Sequence, residues 1–161
     1  MTSSSTSGTG DTGDTISDFT AAATSGHMFH LATHAGHKLV LYFYPKDDTP
    51  GCTVEGQTFA ALHAAFRKAD TTIYGISRDS LKSHEGFKAK LAFPFELIAD
   101  PEEAVCTRFG VMKMKNMYGK RVRGIERSTF LINREGRIAR AWRGVKVAGH
   151  VEEVLEAAQA L

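Results

Sequence analysis

Three observations predict an α/β domain with a mixed central sheet and helices on both faces. A short apolar run, Lys38 to Tyr44, feeds a segment with helical periodicity. Strand-length and helix-length patterns then alternate along the chain. The chain finally runs through a hairpin signal into an amphipathic segment. At 161 residues the chain has the length of one domain able to bury a core without disulfides or metals.

Lys38 to Tyr44 (KLVLYFY) is almost uninterrupted apolar and aromatic, the pattern of a strand covered on both faces, and it stops at Pro45. From Thr53 to Ala69, Phe59, Leu62, Phe66 and Ala69 recur at steps of three and four and predict one helix. Thr71 to Ser77 reads as the next strand and Ser80 to Leu91 as the next helix, so the unit predicts a right-handed parallel crossover. Phe95 to Ile98 is a short strand. Asp100-Pro101-Glu102-Glu103 supplies an N-cap, a first-turn proline and acids, predicting a helix from there to about Phe109. A polar, Gly-containing loop follows. Arg127 to Ile132, the turn Asn133 to Gly136, and Arg137 to Trp142 form an antiparallel hairpin, and Val151, Val154, Leu155 and Ala158 mark a terminal helix. This order matches a thioredoxin-like fold with an extra N-terminal element within Asp18 to Leu31. Residues 1–14 are expected to be a flexible Ser/Thr/Gly-rich tail and residues 15–161 the single domain.

Composition narrows the function. A net charge of +2 is scattered; the densest basic stretch, Arg108 to Arg123, has little aromatic interleaving and reads as a solvated loop rather than a nucleic-acid surface. No segment approaches the roughly 20 apolar residues that span a bilayer, and the N-terminus lacks the charges and apolar stretch of a secretory signal. The two cysteines, Cys52 and Cys106, lack CxxC spacing and favour a reducing compartment, the cytoplasm.

Cys52 carries the chemistry. Thr49 is a good N-cap and Pro50 suits the first helical position, which places Cys52 in the first turn. Free N–H groups and the positive end of the helix dipole stabilise a thiolate there, and the thiolate is the nucleophile. An ordinary cysteine near pKa 8.5 is only a few per cent thiolate at pH 7. Each unit of depression is worth about 1.36 kcal/mol against roughly 0.3 to 2 from a dipole, so strong activation needs a nearby cation as well. Gly51 leaves room for a small substrate. Glu55, three residues beyond the sulfur, reads as a helix-capping residue in preference to one that orients a cation. Tyr44 and Trp142 are candidates for the pocket wall or for core packing. His27, His30, His34 and His37 recur at metal-ligand spacing, but Gly26 and Gly36 interrupt the stretch and a polar surface is the preferred reading.

The string Tyr44-Pro45-Lys46-Asp47-Asp48-Thr49-Pro50-Gly51-Cys52-Thr53-Val54-Glu55 resembles the peroxiredoxin Q, or bacterioferritin comigratory protein, subfamily of peroxiredoxins. Further matches lie at Phe43, Gly75 to Asp79, Lys82 to His84, Gly110-Val111, Asn116 to Lys120, Arg127 to Ile132 and Val147 to Val151, so the likeness spans Asp18 to Ala160. The resemblance implies a thiol-dependent peroxidase that reduces hydrogen peroxide and organic hydroperoxides without metal or organic cofactor. By the same resemblance Cys52 is the attacking cysteine, Thr49 hydrogen-bonds the sulfur and the peroxide, Pro45 shields the sulfur, and Arg127 holds the thiolate and polarises the peroxide. A monomer or weak dimer is implied. Many members carry a resolving cysteine five residues after the first, where this chain has Gln57; others carry it in the stretch that here reads Gly86 to Lys90, which holds none. A one-cysteine cycle is therefore expected, with the sulfenic acid on Cys52 removed by thioredoxin, glutaredoxin or glutathione. Cys106 is expected to be a packed small residue, a Cys52–Cys106 disulfide being the minority reading. A thiol-disulfide oxidoreductase and a redox sensor that oxidises without turning over are the competing readings.

Overall fold

The computed structural model describes residues 10–161. Its central sheet has five strands in the order β5-β4-β3-β8-β9. Strand β3 (Lys38–Phe43) lies at the centre and is buried at every position, as its uninterrupted apolar run predicts. It runs parallel to β4 (Thr71–Ser77), which runs parallel to β5 (Glu96–Ala99). On its other side β3 pairs antiparallel with β8 (Ser128–Ile132), and β8 with β9 (Ile138–Arg143) across the expected hairpin. Two short strands, β1 (Thr20–Ala22) and β2 (Met28–His30), form the extra N-terminal hairpin.

Alternation along β3 divides the core in two. Leu39, Leu41 and Phe43 face a cluster that contains Phe29, Cys106 and Phe109. Val40, Tyr42 and Tyr44 face another that contains Cys52, Phe59, Phe66 and Val151. Helices α1 (Pro50–Ala61) and α2 (His63–Lys68), α3 (Leu81–Leu91) and α5 (His150–Gln159) contribute buried residues to the second cluster or to the polar layer beside it. The short α4 (Ala104–Arg108) contributes to the first.

The structure corrects three expectations. The single helix over Thr53 to Ala69 is two, interrupted where Leu62 departs from helical angles (φ −98°, ψ 7°), although Phe59 and Phe66 still share one buried stripe. The helix expected from Asp100 starts later. Asp100 does cap it, but by accepting from the N–H groups of Val105 (3.1 Å) and Cys106 (2.7 Å) across an intervening turn. The expected loop after Phe109 is a separate antiparallel hairpin, β6 (Met112–Met117) and β7 (Lys120–Ile125), turning through Tyr118 and Gly119, both at positive φ. Of the expected tail over residues 1–14, residues 1–9 lie outside the described residues. Gly13 N–H donates to the Ile138 carbonyl and Ile138 N–H to that of Asp14, so the end of that segment is held to β9.

Gly56 shows how closely α1 is packed. A Cβ built there would come 2.4 Å from Phe93 Cζ, and Phe93 is itself stacked on Phe95. Gly56→Ala is therefore expected to destabilise the fold by about 1–3 kcal/mol through overpacking, read as a lower urea midpoint with an unchanged slope.

Candidate active site

Backbone register assembles the site. Phe43 pairs with Ser128, so Arg127, one residue before β8, enters beside Tyr44, where β3 leaves the sheet. This is the carboxyl end of a central strand, the usual place for a site in an α/β sheet. The chain turns through Pro45 to Thr49 and starts α1 with Thr49 at the N-cap, Pro50 first, and Cys52 in the first turn. Thr53 N–H donates to the Thr49 carbonyl at 2.8 Å, beginning the helical ladder, and leaves the preceding N–H groups of Gly51 and Cys52 without an intrahelical acceptor.

Cys52 is 2% exposed, and Arg127 Nη2 donates to its Sγ at 3.5 Å. The other arm of the guanidinium, Nη1, donates to Glu55 Oε1 at 2.5 Å. Glu55 is fully buried, and its Oε2 has no hydrogen-bond partner among the described residues. Burial pushes its carboxyl up to about 7 against the opposing pull of Arg127. Glu55 thus orients Arg127 rather than capping the helix, and one planar fork links a buried carboxylate to the sulfur. Gly51 makes the approach possible: a Cβ there would meet Nη2 at 3.1 Å.

Neighbouring contacts fix the backbone that carries Arg127. Val145 N–H donates to its carbonyl at 2.9 Å, the Glu126 N–H donates to Val111 at 2.8 Å, and Lys115 Nζ donates to the Ile125 carbonyl. His150 shares a 2.8 Å hydrogen bond with Thr129. Burial pushes its pKa down to about 4, so it adds no charge beside Arg127 at neutral pH.

Thr49 and Pro45 flank this assembly, both half-buried. The Thr49 hydroxyl donates to the Lys46 carbonyl at 2.8 Å, not to Cys52. Tyr44 is buried with its hydroxyl on Asp47, and Trp142 donates to Glu153, so neither aromatic ring's polar atom points at the sulfur. Gln57 is exposed on α1. Cys106 is fully buried in the opposite core cluster, and burial together with the Asp100 carboxylate pushes its thiol well up. The histidine stretch disperses: His30 pairs with Asp18, His37 with Asp70, and His34 stacks on Phe29.

A thiol at a helix start, a fork-held arginine and a thioredoxin-like sheet define a thiol enzyme of the peroxiredoxin class. The chain belongs to the AhpC/TSA family, whose sequence profile matches residues 12–141. Among its relatives, the peroxiredoxin Bcp of Xanthomonas campestris is 56% identical over 143 residues, covering 89% of each chain. A Xylella fastidiosa peroxiredoxin Q structure superposes with a TM-score of 0.89 at 45% identity, covering 93% of this chain and 96% of that one. A structure of the X. campestris bacterioferritin comigratory protein superposes with a TM-score of 0.84 at 55% identity, covering 88% and 90%. That structure was described for the protein's alkyl peroxide reduction activity, from trapped-intermediate and ligand complexes. The present chain is a thiol-dependent peroxidase with a thioredoxin-like fold. Among the described residues no helix is long and apolar enough to cross a membrane.

Two outcomes test the Arg127 fork from its supports. Gly51→Ala should displace Nη2 and slow oxidation of Cys52 by about tenfold or more with the fold retained, because sub-ångström misplacement of a catalytic group is costly. Glu55 has a folded pKa above its ordinary value, so it binds an extra proton when folded between pH 4.5 and about 7, and stability falls as pH rises through that window. Glu55→Gln should flatten this fall in urea titrations across the same range.

Proposed function

We propose that Cys52 acts by a one-cysteine cycle on hydrogen peroxide and organic hydroperoxides in the cytoplasm. The observation that carries this reading is the guanidinium of Arg127 on the sulfur of a helix-start cysteine whose only fellow cysteine lies across the sheet.

The thiolate of Cys52 attacks one peroxide oxygen, the O–O bond breaks, and the leaving oxygen departs as alkoxide or hydroxide, taking a proton to give the alcohol or water. Cys52 is oxidised to sulfenic acid and the peroxide is reduced. Charge moves from the sulfur to the departing oxygen, and Arg127 faces the sulfur from which it moves, so it stabilises the thiolate and then the developing oxyanion. Thr49 has its own proton committed to Lys46, so its oxygen is free to accept the proton of an incoming hydroperoxide. Pro45 offers no N–H and shields the sulfur side of the loop from water.

An external thiol then attacks the sulfenic acid, releasing water and leaving a mixed disulfide, and a second external thiol reduces that disulfide to regenerate Cys52. Thioredoxin, glutaredoxin and glutathione have the required chemistry. Cys106 is disfavoured as resolver, since the sheet stands between the two clusters and a thiol pushed so far up supplies almost no thiolate.

Multiple-turnover peroxide consumption with each reductant in turn tests the reading. Cys52→Ser should abolish turnover, and Cys106→Ser should leave it unchanged. Loss of turnover in Cys106→Ser at full folded fraction, or a Cys52–Cys106 disulfide seen by mass spectrometry after one equivalent of peroxide, contradicts it.

A further inference from the structure

Behind the loop that leads to Cys52 lies a second polar cluster, which does not touch the sulfur. His84 on α3 is fully buried. Its Nε2 lies 2.9 Å from the Ile98 carbonyl of β5, an acceptor only, so Nε2 carries a proton. Its Nδ1 lies 2.7 Å from Asp47 Oδ2. Burial opposes ionisation of Asp47, but bonds from His84, Tyr44 and Ser83 outweigh it and hold the carboxyl below its usual value. His84 and Asp47 are thus joined by a short hydrogen bond between two buried side chains.

Both carboxylate oxygens and the N–H of Asp47 have partners. Tyr44 donates to Oδ1 at 2.6 Å and Ser83 to Oδ2 at 2.8 Å. The Asp47 N–H donates to Asp79 Oδ2 at 2.8 Å, and Ser77 donates to the same oxygen at 2.5 Å. Asp47, Asp79 and His84 have the composition of a cation site, but these hydrogen bonds use the same atoms a cation would need. Asp47 sits two residues from Pro45 and two from Thr49. The residue between Asp47 and Thr49, Asp48, is held at φ +62°, a left-handed conformation that persists only where the surroundings impose it.

We propose that Asp47 and His84 are a positioning pair for the peroxidase reaction. They tie the Pro45–Thr49 loop to α3 and β5, and so set where Pro45 and Thr49 stand relative to Cys52. The inference rests on the reading of Pro45 and Thr49 given above. Neither member of the pair touches sulfur or peroxide; both act through the loop.

Two substitutions of His84 divide its two bonds. In His84→Asn the amide nitrogen takes the place of Nδ1 and keeps the link to Asp47. In His84→Gln it takes the place of Nε2 and keeps the link to Ile98. Both remove the same ring from the same buried site. The second-order rate of Cys52 oxidation by hydrogen peroxide, measured by stopped flow at matched folded fraction from thermal unfolding, should be about tenfold or more lower in His84→Gln than in His84→Asn. Equal rates in the two variants would overturn the positioning role and leave His84 a packing residue. Thr49→Val in the same assay separates the two levels. An unchanged rate there overturns the reading of Thr49 and the inference with it. A slow Thr49→Val beside equal His84 variants overturns the positioning pair alone.

Discussion

The site depends on one guanidinium held at two ends. Arg127 reaches Cys52 because a carboxylate buried on the same helix, Glu55, takes its other arm. A fully buried carboxylate is costly unless it is paired, so α1 brings with it a demand for a cation, and the residue just before β8 supplies that cation at the point where β3 ends. The sulfur and its counter-charge are thus parts of one packing solution. Gly51 follows from the same constraint, since the guanidinium occupies the space a side chain there would take.

The two-faced sheet determines what the other cysteine can do. Alternation along β3 sends Cys52 and Cys106 into different clusters, where one meets a helix start and an arginine and the other meets Asp100 and aliphatic neighbours. Burial and the Asp100 carboxylate together hold the proton on Cys106, whereas the sulfur of Cys52 has the Arg127 guanidinium beside it. The contrast between two nearly inaccessible thiols comes from charge placement, not from exposure.

Strands β3 and β8, buried at every position, appear where the apolar runs KLVLYFY and RSTFLI place them, and the partly exposed β4 and β9 appear where TTIYGIS and the turn at Asn133 to Gly136 place them. The β6–β7 hairpin was not, since its exposed Lys residues made it look like a basic loop, although the Met112-Lys113-Met114-Lys115 alternation and the Tyr118-Gly119 turn were its signals. At the site, the N-cap and proline before Cys52 sufficed to place that cysteine in a first turn. Arg127 lies 75 positions away with no local mark of its role, so it came from family resemblance alone. Glu55 was read from its helix, where capping is the ordinary role; its true partner is set by tertiary packing. The preceding Asp47 and the distant His84 stayed silent for the same reason.

The most direct test of this account is the rate constant for the reaction of Cys52 with hydrogen peroxide in Arg127→Lys. Lysine keeps the positive charge but lacks the planar fork, so it cannot hold Glu55 and the sulfur at once. The account predicts a fall of about a hundredfold with the fold intact. A rate within about twofold of the unsubstituted protein would contradict it, because a point charge would then do all that the fork is held to do.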